Sequence, residues 1–152
     1  LHLSIRRQRQ MCIRDRCDIM KISEEEVAFV SEQESLEKGV SFIRDNSDIK
    51  ILFVTLGNKG SIAYYKDEKI YCGGIHQEHV VDTTGAGDTF CGAVLSRILE
   101  LGTDALTEKD IREMLLFANA AASIVVTRKG ALCSMPEPEE IRAASSLIDK
   151  VL

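Results

Sequence analysis

The feature that most constrains this 152-residue chain is a short glycine-containing run, Asp82-Thr83-Thr84-Gly85-Ala86-Gly87-Asp88. An extended stretch is predicted to precede it, and a helix is predicted to follow over residues 88–101. The two glycines let backbone amides approach an anion without side chains in the way, and a helix start adds unpaired N–H donors and partial positive charge. The run therefore predicts either a phosphate-binding loop or a plain glycine turn in which Asp88 caps the helix.

Asp88 distinguishes a loop that only binds phosphate from one that also transfers it. A carboxylate at the mouth of a phosphate site would normally repel the ligand, so a binding loop has little reason to carry one. A kinase has a reason, because the acceptor hydroxyl must lose its proton as it attacks the terminal phosphate and a positioned Asp can accept that proton. The run is not G-x-x-x-x-G-K-[ST], because no Lys follows it, and not G-x-G-x-x-G, because position 90 is Phe.

The rest of the pattern predicts an α/β layered domain, since short strands are mixed with helices of ten or more residues. The apolar run 49–55 lacks alternation, which is typical of a buried, parallel strand. Capping boxes are predicted at Ser23 and at Thr107. Strands are predicted at 17–22, 49–55, 61–65 and 69–71, with an extended stretch at 79–82, and helices at 23–30, 32–44, 88–101, 110–126 and 138–150.

Composition excludes several classes of partner. Net charge is −5, Trp is absent and no basic stripe lies beyond the first residues, which argues against nucleic acid. No apolar run approaches the roughly 20 residues that span a bilayer, so no membrane partner is expected. The five Cys form no C-x-x-C pair, and we expect reduced thiols in a cytoplasmic protein rather than a zinc site or a disulfide framework.

The first sixteen residues differ from the remainder. Residues 1–16 carry five Arg and one acid, whereas the rest of the chain carries 14 basic and 23 acidic side chains. Residues 11–16 resemble a reading frame through a transposon end used to prepare sequencing libraries. We therefore interpret residues 1–16 as a non-native leader and residues 17–152 as the folded domain.

The run Asp82 to Leu95, DTTGAGDTFCGAVL, resembles the second signature of the ribokinase-like, or phosphofructokinase-B-type, carbohydrate kinases. The resemblance implies that Gly85, Ala86 and Gly87 form the anion hole and that Asp88 is the catalytic base.

Two positions in the same signature match metal-binding positions of the family. Asp82 and Thr84 match positions that hold a monovalent cation, usually potassium, in many relatives, and residues 127–131 resemble the loop that completes that site. Capping of the strand end and of the turn is the alternative role for both side chains.

Two further segments resemble nucleotide-site motifs. Glu26 matches an acid that influences magnesium through water, although Ser23 stands where Asn is usual, and the capping box is the alternative. The T-L-G-x-x-G turn, with Thr55, Gly57 and Gly60, matches a turn whose backbone lies along the nucleotide; a plain turn is the alternative. Asn119 matches a polar contact at the adenine pocket, on a helix whose small residues also permit close packing.

The resemblance implies a three-layer α/β/α fold, of which this chain would be the C-terminal part, with the sugar-holding residues and the β-lid upstream. It implies ATP-dependent phosphorylation of a sugar hydroxyl with Mg²⁺ and K⁺. The activity it predicts is that of a fructokinase, with ribokinase or 2-keto-3-deoxygluconate kinase as the alternatives. A non-catalytic nucleotide-binding module is the alternative of another class. We expect a homodimer in the full-length protein, and no turnover by residues 1–152 alone.

Overall fold

The computed structural model describes residues 17–130 and 132–148. The predicted non-native leader, residues 1–16, lies outside the described residues, as do position 131 of the predicted cation loop and the last residues of the final predicted helix.

The described residues form one four-stranded sheet and five helices. The strands are β1 (Ile19–Ser23), β2 (Ile51–Thr55), β3 (Gly60–Tyr65) and β4 (Glu68–Gly73). The helices are α1 (Glu24–Ser31), α2 (Leu36–Asp45), α3 (Ala86–Leu101), α4 (Glu108–Val125) and α5 (Pro138–Ile148), with short 3₁₀ turns at Gly57–Lys59 and Leu132–Ser134.

Four strand ends meet at one edge of the sheet: the ends of β1, β2 and β4 and the start of β3. Its order is β1-β2-β3-β4, with β1 parallel to β2 and the other neighbours antiparallel. Ser23 pairs with Thr55, Thr55 pairs with Ser61, and Gly60 pairs with Gly73. The prediction that β2 is a parallel strand is therefore right for its β1 neighbour and wrong for β3, which returns through a tight turn.

Helices cover both faces of the sheet, as the predicted three-layer α/β/α arrangement requires. Leu52 and Val54 pack in one core with residues of α1 and α2, whereas Ile51 and Phe53 pack in a second core with residues of α3, α4 and α5. These four side chains are at most 1% exposed. Burial on both faces explains why β2 has no polar alternation.

The two predicted capping boxes are present. The Ser23 hydroxyl accepts from the Glu26 amide at 3.2 Å while the Glu26 carboxylate accepts from the Ser23 amide at 2.8 Å. Thr107 and Asp110 make the same exchange at 3.2 and 2.8 Å. Each N-cap is worth about 1 kcal/mol, and the caps fix where α1 and α4 begin.

Two predictions around the glycine loop differ from the structure. Residues 79–82, predicted as extended, form no strand; instead the amides of Val81 and Asp82 both donate to the carbonyl of Val126, at 2.8 and 3.2 Å. Helix α3 begins at Ala86 rather than Asp88, because Gly85 adopts a left-handed φ of 86° and serves as N-cap. Gly87 and Asp88 consequently lie in the first turn of α3.

None of the helices within the described residues combines the length and the apolar character needed to cross a membrane.

Gly60 and Gly57 offer a matched test of backbone packing at this edge. Gly60 has a φ of 107°, and a Cβ there would collide with the backbone carbonyl of Cys72. Gly57 has a φ of 61° with open space around an added Cβ. Gly60→Ala should therefore lower the free energy of unfolding by about 3–5 kcal/mol, and Gly57→Ala by about 1–2 kcal/mol. Urea denaturation of both variants measures this; equal losses would contradict the packing described.

Candidate active site

A cleft of about 540 Å³ opens at the edge of the sheet where the ends of β1, β2 and β4 and the start of β3 meet. Its walls come from the end of β1, the turn after β2, the loop that leads into α3, and the C-terminal half of α4. Of the residues predicted from the sequence, those lining this cleft are Thr55, Gly57, Gly60, Ala86, Gly87 and Asn119. Segments far apart in the chain thus form one site, at the carboxyl ends of the parallel strands, where ligands of open α/β sheets bind.

The remaining predicted residues lie around this cleft. Gly85 is the N-cap of α3, and Asp88 follows Gly87 in the first turn with its side chain exposed. Asp82 and Thr84 lie in the loop just before the helix, outside the cleft wall. The structure thus places the predicted base beside the predicted anion hole.

Asp82 ties the glycine loop to the loop after α4. One carboxylate oxygen accepts from the Thr84 amide at 2.9 Å, and the other accepts from the Gly130 amide at 3.3 Å. Hydrogen bonds from the Thr84 side chain and amide, and then from the Gly130 amide, lower the pKa of Asp82 below its ordinary value of 3.8. The capping role that the sequence left open is therefore present, and the two loops of the predicted cation site are adjacent.

The acidic start of α1 presents a different carboxylate to the cleft from the one predicted. Glu26 accepts from the Ser23 amide within the capping box, whereas Glu25 lines the cleft. Hydrogen bonds from its own amide and from the Ser23 hydroxyl, with the nearby charge of Lys59, lower the pKa of Glu25. Successive helical residues point about 100° apart, so the S-x-x-E spacing located the cap and missed Glu25.

Asn119 is buried, and its amide group is committed to the protein. Its oxygen accepts from the Ser61 hydroxyl at 2.9 Å, and its nitrogen donates to the carbonyls of Cys72 and Gly73, both at 3.2 Å. Both N–H donors are used, so only one lone pair of the oxygen remains for a ligand. The contact predicted at the adenine pocket can therefore use Asn119 only as an acceptor, while its donors hold the end of β4 against α4.

Sequence reasoning did not find the cationic side chain of Lys21 in the cleft wall, nor the apolar part of that wall. Lys21 of β1 lines the cleft, and a Cβ built on Gly87 would lie 3.0 Å from its Nζ. Ile75, Val80 and Ala122 supply apolar surface, which ligand clefts commonly combine with a few polar groups. The available sequence signal for Lys21 was a lysine within the otherwise apolar run of residues 19–22. The apolar part of the wall depends on how the 74–85 loop folds back.

Comparisons with known proteins show which family the chain belongs to. The family model for "pfkB family carbohydrate kinase" matches residues 4–138. The chain belongs to the pfkB family of carbohydrate kinases. Its glycine loop, with Gly85 as N-cap and Asp88 in the first turn of α3, lies within the matched residues.

Named relatives place this pfkB-family chain near sugar kinases. Fructokinase-1 of Zea mays is 39% identical over 133 residues, which cover 86% of this chain and 40% of that protein. Fructokinase from Vibrio cholerae O395, solved with fructose, ADP and calcium, has a TM-score of 0.74 and 32% identity over 83% of this chain and 40% of that one. Ribokinase from Arabidopsis thaliana, solved with ribose and ATP, has a TM-score of 0.75 and 33% identity, covering 87% and 42%. The chain thus spans about two fifths of the length of these relatives.

The Asp82 contacts predict a pH-dependent contribution to stability. Because the folded pKa of Asp82 lies below 3.8, its ionised form stabilises the fold above that pH, and this contribution is lost as the pH falls through the folded pKa. Asp82→Asn should therefore lower the thermal midpoint near neutral pH and approach the wild-type midpoint in acid. Thermal scans from about pH 7 to about pH 2.5 measure this. Asp67→Asn, on the exposed β3–β4 turn, is the control; a gap between Asp82→Asn and wild type that does not depend on pH would contradict the assignment.

Proposed function

We propose that the protein acts as an ATP-dependent carbohydrate kinase, with fructose as the first candidate acceptor. The observation that carries the proposal is the convergence of the glycine loop, the Thr55–Gly60 turn and the C-terminal half of α4 on one cleft beside Asp88. A glycine turn with a purely structural role would not require these remote segments to meet around a polar and apolar cleft.

ATP fits the residues present. The amides of Gly85 and Gly87, at the positive end of α3, suit the phosphate groups, whereas the Ala86 amide donates to the Thr83 carbonyl at 3.3 Å. The open turn at Gly57 and the apolar surface of Ile75 and Ala122 suit a base and ribose. Nucleotide complexes of the Vibrio cholerae fructokinase and the Arabidopsis thaliana ribokinase support this assignment.

The proposed reaction is a direct phosphoryl transfer. The acceptor oxygen forms a bond to the γ-phosphorus while the bond from that phosphorus to the β,γ-bridging oxygen breaks, so that ADP leaves. The hydroxyl proton passes to a carboxylate oxygen of Asp88, which acts as general base. Amides of the glycine loop stabilise the charge on the transferred group.

Magnesium and potassium are the proposed ions. Mg²⁺ prefers oxygen ligands and keeps several waters, so nucleotide phosphates and the acidic start of α1 suffice, with Glu25 facing the cleft and Glu26 beside it. K⁺ would lie near Asp82 and Thr84, where the glycine loop meets the loop that contains Gly130. Bound Mg²⁺ would neutralise charge between phosphates.

Asp88→Asn tests whether Asp88 is the general base. The variant is made in a polypeptide that contains these residues and has the full length of the family's members. Turnover of fructose should fall by about 10²- to 10⁴-fold, while ATP affinity is kept, because neutral Asn cannot accept the proton. A coupled ADP-release assay and calorimetric ATP titration measure the two properties. Asp67→Asn is the matched control and should leave both unchanged.

The same assay separates the alternatives. Faster turnover of ribose or 2-keto-3-deoxygluconate than of fructose would reassign the acceptor. ATP binding by the wild type without turnover of any of the three would indicate a non-catalytic nucleotide-binding module. Near-normal turnover by Asp88→Asn would exclude Asp88 as the base.

Potassium should activate the same enzyme. Replacing sodium by potassium at fixed ionic strength should raise kcat/KM, because a weakly hydrated cation at Asp82 and Thr84 would order the glycine loop. Asp82→Asn should remove the difference between the two salts. Equal wild-type rates in both salts would leave Asp82 as a cap that joins the two loops.

A further inference from the structure

Lys21 faces the α3–α5 side of the sheet. In β1, Met20 and Ile22 pack in the core formed with α1 and α2, and Ile19 packs in the opposite core. Because side chains alternate along a strand, Lys21 points to the same side as Ile19. Its register partner on β2 is Phe53, which is fully buried on that side. A lysine is therefore half-buried where the neighbouring strand places an apolar side chain.

No acidic side chain in the described part of the chain lies within ion-pair distance of the Lys21 ammonium. Lys50, Lys69 and Lys109 each have a carboxylate within 4 Å, whereas other described lysines such as Lys38 and Lys66 have none. Nζ of Lys21 instead lies over Gly87, 3.0 Å from where a Cβ of that residue would be. This is the first turn of α3, the positive end of the helix dipole.

The Lys21 ammonium and the positive end of α3 lie next to each other, and this arrangement is unfavourable when no anion is bound. A cation is stabilised at the C-terminus of a helix and disfavoured at the N-terminus, so the position of Lys21 does not serve the stability of α3. An anion between the ammonium and the loop amides would be attracted to both. The arrangement thus indicates an anionic ligand independently of the loop sequence.

Gly87 supports the same conclusion. Its φ is not among the positive ones, unlike that of Gly85 at 86°, so helical geometry at 87 would accept alanine. The nearest atom to an added Cβ is Nζ of Lys21. Glycine at this position therefore provides room for the ammonium rather than an unusual backbone conformation.

We infer that Lys21 is a phosphate-binding residue of this cleft and supplies from β1 the ammonium group that the glycine loop lacks. The inference rests on the proposed function, since it names a further residue of the same nucleotide site. In loops of the type G-x-x-x-x-G-K-[ST], the lysine follows the glycines in sequence; here a neighbouring strand brings it. Glu25 lines the same cleft, and Asp88 follows Gly87 in the first turn of α3.

Calorimetric titrations of ATP, ADP, adenosine and inorganic tripolyphosphate into wild-type protein and Lys21→Met test the inference. Methionine keeps an unbranched apolar stem and removes the charge. Affinity for ATP and tripolyphosphate should fall about tenfold to a hundredfold, the usual effect of one charged hydrogen bond, and affinity for adenosine should not change. Lys69→Met, which makes the same change on exposed β4, should leave all four affinities at the wild-type level.

Each outcome of these titrations decides a separate point. Equal ATP affinity in wild type and Lys21→Met would overturn the Lys21 assignment and leave the proposed function intact. Equal losses for ATP and adenosine would show that Lys21 only supports the fold. Wild-type protein that binds neither ATP nor adenosine would overturn the nucleotide site itself, and the inference with it.

Gly87→Ala and Lys21→Arg provide checks that do not depend on the folding of Lys21→Met. The added methyl of Gly87→Ala should displace the ammonium and weaken ATP and tripolyphosphate several-fold, with adenosine affinity kept. Lys21→Arg keeps the charge and should recover part of the affinity lost in Lys21→Met. An arginine variant as weak as the methionine variant, together with unaltered binding by Gly87→Ala, would overturn the inference.

Discussion

Burial of β2 on both faces is the constraint on which the rest of this structure depends. Four consecutive side chains, Ile51 to Val54, are at most 1% exposed and alternate between two cores. Each large apolar side chain buried in this way contributes about 1.5–3 kcal/mol. Helices must therefore cover both faces of the sheet, which leaves its ends as the places where polar groups can gather. The candidate cleft opens at one of these ends.

Close backbone contact shapes that end of the sheet. Gly60 packs against the backbone of Cys72, Gly73 and Gly74, and Gly74 packs against the backbone carbonyl of Asn58, so neither glycine has room for a Cβ. The Gly74 amide also donates to the Lys59 carbonyl at 3.1 Å. The turn after β2 and the loop after β4 are thus held together, and the cleft wall they form is preorganised before any ligand arrives.

Polar contacts then connect this wall to the helical layer. Asn119 joins Ser61 of β3 to the last carbonyls of β4, and Asp82 joins the glycine loop to Gly130. In each case one polar side-chain group makes hydrogen bonds with backbone or hydroxyl groups of two separate segments of the chain. Residues that resemble ligand contacts in sequence can in this way have a positioning role, because a ligand site built from several segments needs its walls fixed as well as its contacts.

The sequence alone determined the local features of this protein. Capping boxes set the starts of α1 and α4, the unalternating run 49–55 indicated a strand buried on both faces, and the order of glycines and Asp88 indicated a phosphate loop at a helix start. These signals depend on residues within a few positions of one another, so spacing suffices to locate them. Tertiary structure alone decided which charged groups line the cleft. Lys21 meets Gly87 from a strand more than sixty residues away, and Glu25 lines the cleft while Glu26 is held in its cap. Tertiary structure also made residues 79–82 a loop that is hydrogen-bonded to the end of α4. Each of these depends on the register and direction of elements distant in the chain, which no local pattern specifies.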